Sequence, residues 1–224
     1  RACGGVSIGI CFFHCILDGC AAFQFVNNWA GIHRFQKENF PSTNPPSLVI
    51  PPIEQRNLLI SDGSKPTQSH PEYTVLPTET ETKETNKEPE KSSEIKNLVR
   101  IFHFSNKKLG ELKAQASVSL RKFPWVSTND ALCGLLWQRI LAIRELEKGD
   151  KVALGMACNG RDRIDPPLPV GYFGNANFFI FAERENNEVL GMGLSELAET
   201  VRFAVDEITN EKIRSSLNFV REVG

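Results

Sequence analysis

The sequence predicts an α/β fold in two parts, and three features carry that expectation. Residues 6–29, VSIGICFFHCILDGCAAFQFVNNW, read as a strand, a polar corner and an amphipathic helix. A later stretch, TVLPTETETKETNKEPEKSSEIKN, is almost without apolar residues and divides the chain. Beyond it, strand and helix patterns alternate again in LVRIFHF, STNDALCGLLWQRI, KVALGMAC and NFFIFA, as layered α/β folds require. No short repeat of fixed period is present.

In the first stretch Val6, Ile8, Ile10 and Phe12 alternate with Ser7, Gly9, Cys11 and Phe13. A period of two places His14 on the face of the larger apolar residues, so a polar ring ends an apolar row. Gly19 opens backbone angles closed to other residues, and Ala22, Phe25, Val26 and Trp29 then recur at helical spacing, which predicts a helix to about Phe35. An imidazole held at such a junction suits proton transfer, because its unperturbed pKa is roughly 6.5. Asp18, four residues on, can fix its tautomer or anchor the local backbone. These residues alone also fit a satisfied core histidine beside an ordinary turn aspartate.

The prolines of FPSTNPPSLVIPPIEQRNLL forbid regular helix and predict an extended connection. It leads into a linker or crossover between Ser61 and Asn97, whose polar composition cannot repay the entropy of ordering. The expected division is therefore residues 1–60, a linker 61–97, and residues 98–224. LVRIFHF reads as a strand with His103 packed or paired in it, and Ser105 as the N-cap of a helix carrying Leu109, Leu112 and Ala116 on one side. Ser127 with Asp130 forms a capping-box pattern, opening a core helix with the stripe Ala131, Leu132, Leu135, Leu136 and Ile140. Strands KVALGMAC and NFFIFA flank residues 159–175, and Leu194, Leu197, Val201, Ala204, Val205 and Ile208 mark a last helix.

With 224 residues, 41% of them hydrophobic, the chain can bury a sizeable core. Its formal net charge is -1, and its basic residues are interspersed with acids, which argues against nucleic acid or an anionic membrane as partner. No apolar run reaches the roughly 20 residues needed to span a bilayer. Arg1 stands where a methionine would begin a chain, so an upstream portion is expected. Cys3, Cys11, Cys15, Cys20, Cys133 and Cys158 form no CxxC pair and read as reduced core thiols of a cytosolic protein. A zinc cluster of Cys11, Cys15, Cys20 and His14 is disfavoured, because strand geometry turns Cys11 and His14 to opposite faces; no metal is expected.

Two motifs bear on chemistry. Gly5-Val6-Ser7-Ile8-Gly9 matches the GxSxG pattern of a hydrolase nucleophile elbow, but strand-like alternation continues past Ser7 where that motif needs a sharp turn into a helix. Arg161 and Arg163 follow a strand directly and precede Pro166 and Pro167, so an arginine here can form a bidentate pair with a carboxylate such as Asp18. The same residues also fit a solvated proline-rich turn, or a PPLP ligand for a small recognition domain.

HCILDG, STNDALCGLLWQRI and NGRDRIDPPLPVGYFGN together resemble the BAHD (HxxxD-type) acyl-CoA-dependent acyltransferases of plants, in particular the hydroxycinnamoyl and alcohol acyltransferases. The resemblance covers most of the chain outside the linker. It implies a chloramphenicol-acetyltransferase-like fold of two α/β domains joined by a crossover loop, here incomplete at both ends. It makes His14 the catalytic base and Asp18 an architectural acid paired with an arginine, for which Arg161 is the candidate. It also sets Ser127 and Thr128 near the coenzyme, at a helix N-terminus whose amides suit polar or anionic groups. Tyr172, Phe173, Gly174 and Asn175 would shape a channel wall and its supporting turn.

The implied reaction moves an acyl group from acyl-CoA to a hydroxyl or amine of a plant specialised metabolite, in a cytoplasmic monomer with no permanently bound cofactor. The family's DFGWG segment is absent, and Ala176 follows YFGN where some malonyltransferases carry cysteine, which disfavours a malonyl donor. The rival from another class is a non-catalytic scaffold or binding protein that keeps the fold.

Overall fold

The computed structural model describes residues 4–38, 50–73 and 98–223. They form helices α1 (Gly19–Glu38), α2 (Asn106–Ala116), α3 (Thr128–Ala142), α4 (Asn186–Gly191), α5 (Leu194–Asp206) and α6 (Asn210–Val223), strands β1 (Lys151–Asn159) and β2 (Asn177–Glu185), and a 3-10 turn at Arg56–Leu58. This is the mixed helix and sheet expected of an α/β chain. β1 and β2 pair with each other, and Phe178, Ile180 and Ala182 are buried with the period of two that a strand imposes. The chain divides into two compact units. Unit 1 comprises residues 1–68, 157–179 and 208–222; unit 2 comprises residues 69–156, 180–207 and 223–224.

In unit 1 residues 51–53 of the proline-rich connection run beside the 171–173 segment. Ile53 N–H donates to the Gly171 carbonyl at 2.9 Å and Phe173 N–H to the Ile53 carbonyl at 2.8 Å, a single parallel bridge between Ile53 and Tyr172. Gly171 has φ of 100°, a region that favours glycine, and a Cβ there would strike the Pro51 carbonyl oxygen. α6 fastens residues 61–68 through polar side chains. Asn218 accepts from Ser61 Oγ at 2.5 Å and donates to Ser64 Oγ at 2.7 Å, while Ser215 Oγ accepts from the N–H groups of Thr67 and Gln68. Of the expected linker, residues 61–73 are thus described, and 74–97 lie outside the described residues.

Unit 2 is built on α2, α3 and α5. Ala116, Val126, Ala131 and Ala198 are fully buried, with Leu112, Leu120 and Leu194 packed against them. Small residues at the crossing let the helices approach closely. A Cβ at Gly134 would lie 2.9 Å from Leu197 Cβ and 3.1 Å from the Leu197 carbonyl carbon. The Gln138 amide fastens α4 by donating to the carbonyls of Val189 at 3.0 Å and Met192 at 2.9 Å.

Several expectations are corrected. Residues 6–13 and 98–104 form no strand, and their apolar side chains are exposed, Val6 to 87%. A strand persists through ladder partners; β1 and β2 pair with each other, and among the described residues none pairs with these segments. His103 is exposed accordingly. Cys11, Cys15 and Cys20 are exposed instead of core, because the strand that would have buried Cys11 is not formed; Cys133 and Cys158 are half-buried, and Cys3 lies outside the described residues.

The helix faces also differ. On α1 only Ala21 is buried; Phe25 and Trp29 are exposed, and Phe25 meets Phe12 edge-on at 5.9 Å between ring centroids. α3 buries Ala131, Gly134, Trp137 and Leu141, while Leu136 and Ile140 of the expected stripe face outward. At Gly134 α5 fills the space a Cβ would take, so the packed face runs through the glycine and not along the leucines. α4 and α6 were not anticipated. α6 buries Ser215, Ser216 and Asn218 beside Ile213, so its inward face carries no apolar periodicity to read.

Candidate active site

Asp18 stands immediately before α1 and caps it. Its Oδ1 accepts from Ala21 N–H at 3.0 Å, and its carbonyl accepts from Ala22 N–H at 2.9 Å. The remaining acceptor capacity of the carboxylate is taken by a distant segment. Arg161 Nη1 donates to Oδ2 at 2.8 Å and Nη2 to Oδ1 at 3.0 Å, and Ala176 N–H adds a bond to Oδ2 at 2.9 Å. The pairing of Asp18 with Arg161 anticipated from the sequence is therefore formed. Burial by itself raises the Asp18 acid, but the Arg161 hydrogen bonds, the two amides and the guanidinium charge outweigh it and hold the carboxyl below its ordinary value.

Arg161 is equally well held. Beyond Asp18 it donates to Asn159 Oδ1 at 3.2 Å and to the Gly174 carbonyl at 2.9 Å, and its guanidinium lies 5.6 Å from the centre of the Tyr172 ring. Burial pushes the Tyr172 phenol up. Asp18 is 5% and Arg161 9% exposed, so this is an internal ion pair whose Nη groups also bond backbone carbonyls and one side-chain amide. Arg163 goes elsewhere, donating to the Ile208 carbonyl at 3.1 Å.

His14 occupies the turn just before this lock and is exposed. The turn closes through Ile16 N–H donating to the Phe13 carbonyl at 3.0 Å, and the His14 carbonyl accepts from Asn175 Nδ2 at 2.7 Å. Residues 174–176 therefore bond in succession to Arg161, to His14 and to Asp18. The side chain of the histidine is left accessible while its backbone is fixed from across the unit.

Ser127 and Thr128 lie in unit 2, whereas His14, Asp18, Arg161 and Asn175 lie in unit 1. Ser127 Oγ accepts from Asp130 N–H at 3.0 Å, and Asp130 Oδ2 accepts from Ser127 N–H at 2.7 Å, the expected capping box. Thr128 is the first residue of α3. Ser7 sits in irregular backbone well before α1, so the elements of a nucleophile elbow are not assembled around it. Two participants escaped the sequence reading: Asn159, which orients Arg161, and the Ala176 amide. The first had a signal, an asparagine two residues before an arginine at a strand end; a backbone donor has none.

The Transferase family model matches residues 2–222. The chain belongs to that family, the BAHD-type acyltransferases. Among curated BAHD relatives it is 29% identical over 218 residues to hydroxycinnamoyltransferase 1 of Oryza sativa subsp. japonica, covering 97% of this chain and 47% of the relative. It is 30% identical to the hydroxycinnamoyl-CoA:5-hydroxyanthranilate N-hydroxycinnamoyltransferase of Avena sativa, again with 97% and 47% coverage. The chain spans about half the length of the curated relatives it matches. Among solved structures, F. sporotrichioides TRI101, crystallised with coenzyme A and T-2, is similar with a TM-score of 0.48 and 21% identity, covering 52% of this chain and 27% of that one.

Proposed function

We propose that this BAHD protein transfers an acyl group from acyl-CoA to a hydroxyl or amine of a plant small molecule, with His14 as general base. The observation that carries the reading is the position of His14: an accessible imidazole on a turn whose backbone is fixed by Asn175 and followed at once by the Asp18–Arg161 lock. The names of the relatives support hydroxycinnamoyl-CoA as the donor class and a small alcohol or amine as acceptor.

The chemistry follows from simple needs. An alcohol or amine is a weak nucleophile until its proton leaves, and the His14 imidazole accepts that proton as the heteroatom attacks the thioester carbonyl. The resulting oxyanion collapses and expels coenzyme A as the thiolate, which takes up a proton. Asp18 serves the architecture of the turn. Ser127 and Thr128, with the first amides of α3, are read as contacts of the coenzyme. The reaction needs no acyl-enzyme and no metal, and the reading includes a cytoplasmic, monomeric protein.

The test is thiol release from acetyl-, malonyl- and hydroxycinnamoyl-CoA with mixed alcohol and amine acceptors, using the full-length protein and its His14→Ala form. A positioned base contributes about 10²- to 10⁴-fold, so the variant is expected to lose that much of the rate. Equal release by the two forms removes the catalytic reading and leaves the scaffold reading in its place.

A further inference from the structure

Unit 2 holds a buried carboxylate that the proposed chemistry does not use. Glu199, on α5, is 5% exposed, and its Oε1 accepts from three consecutive backbone N–H groups: Arg121 at 2.8 Å, Lys122 at 2.5 Å and Phe123 at 3.1 Å. Successive amides turned onto one oxygen make an anion-holding nest, and here the anion comes from the protein's own helix. Burial by itself raises the Glu199 acid, but the three amides outweigh it and hold the group below its ordinary value, so it remains ionised.

Arg202 lies three residues further along the same helix and therefore shares its face. Its guanidinium sits 4.6 Å from the centre of the Trp125 ring, and its Nη1 lies 4.0 Å from Asp130 Oδ2, the acid of the α3 capping box. It also pairs with Asp206 one turn on, with Nε donating to Oδ2 at 3.1 Å. Glu199 thus holds residues 121–123, and Ser127 and Thr128 stand between the two Arg202 contacts at Trp125 and Asp130. The nest also sets the backbone from which Arg121 and Lys122 line a cavity of about 810 Å3, bordered further by Arg184, Leu194 and Thr200.

We propose that Glu199 and Arg202 are positioning residues: from one face of α5 they hold residues 121–130 in the conformation that binds the coenzyme at the start of α3. The inference rests on the reading of Ser127 and Thr128 as coenzyme contacts. A loop ordered in advance spares the ligand the entropy of ordering it, and that saving appears as affinity. Without the Glu199 carboxylate three inward amides lose their acceptor, and the loop that carries them must rearrange to satisfy them.

The experiment uses the full-length protein, with calorimetric titration of coenzyme A, amide hydrogen exchange over residues 119–128, and the KM for the acceptor. Glu199→Leu is expected to weaken coenzyme A binding about tenfold and to raise exchange at residues 121–123, with the acceptor KM unchanged. Glu199→Gln, which keeps an accepting oxygen, recovers most of the loss. Should Glu199→Leu not fold, Arg202→Met, which leaves the nest in place, is expected to weaken binding about threefold. Unaltered coenzyme A affinity in the Glu199 and Arg202 variants, while Ser127→Ala or Thr128→Val binds less well, overturns the clamp alone. Parent-like binding by Ser127→Ala and Thr128→Val removes the reading of α3 as the coenzyme end, and the clamp with it.

Discussion

Asp18 and Arg161, 143 positions apart, meet as a two-pronged ion pair at 2.8 and 3.0 Å, and it joins the corner before α1 to the end of β1. Removing one partner of a buried pair strands the other, which costs about 3 to 5 kcal/mol. Asp18→Asn should therefore lower the melting temperature sharply while the folded fraction keeps most of its turnover. Arg161→Lys should approach it, since a single ammonium cannot reproduce the fork. Thermal unfolding measured beside turnover per folded molecule checks both, and lost turnover at unaltered stability would contradict the architectural role.

The same pair makes a statement about pH. The Asp18 acid lies below its ordinary value of 3.8 in the folded chain, so its contribution to stability is complete above that value and is lost as pH falls through the lower folded one. Glu199, also depressed, acts in the same direction from its ordinary value of 4.5. Stability should therefore decline below about pH 4, and Asp18→Asn should flatten that decline without abolishing it, because Glu199 still titrates. Denaturant midpoints measured from about pH 3 to about pH 7, a range that brackets the ordinary carboxylate values, give the comparison.

Asn175 ties its amide to the His14 carbonyl at 2.7 Å and stands between two residues that serve Arg161 and Asp18. Asn175→Ala should loosen the histidine turn more than the core. A fall in kcat of about tenfold, with a smaller change in melting temperature than Asp18→Asn produces, is the expected result. Steady-state kinetics with thermal scans separates the two effects.

Two glycines in helices predict opposite signs. Gly110 in α2 has open space where a Cβ would go, so Gly110→Ala should stabilise by about 1 kcal/mol through helix propensity. At Gly134 an added Cβ meets Leu197 Cβ at 2.9 Å and Leu197 backbone at 3.1 Å, so Gly134→Ala should destabilise by about 1 to 3 kcal/mol despite the same propensity gain. Chemical denaturation of the two variants tests the contrast directly.

What could be read in advance follows from where the information resides. Ser105 and Ser127 announced their helices because capping is local, and both caps form as their spacing implied. That an arginine at the end of the strand before Pro166 could pair with a carboxylate was legible from the residues, whereas the choice of Arg161 over Arg163 as the partner of Asp18 came from the family resemblance. The strand expected at residues 6–14 was misjudged because alternation reports only a preference, whereas a strand exists through its neighbours. α6 is hard to read because its inward Ser215 and Asn218 bond the 61–68 segment, and Ser216 donates to the Ile213 carbonyl, so the buried face is disguised as polar. The buried face of α3 lies about half a turn from the leucine stripe because a glycine, invisible to hydrophobic counting, lets Leu197 of α5 pack against the backbone there.

An ionised carboxylate offers about four lone-pair directions, and in Asp18 each oxygen already receives two donors, one from Arg161 and one from an amide. Nothing remains for it to extend toward an imidazole. The two residues that spell the HxxxD signature are therefore not a relay: the acid is saturated by one guanidinium and two amides, and its work is to hold the corner together.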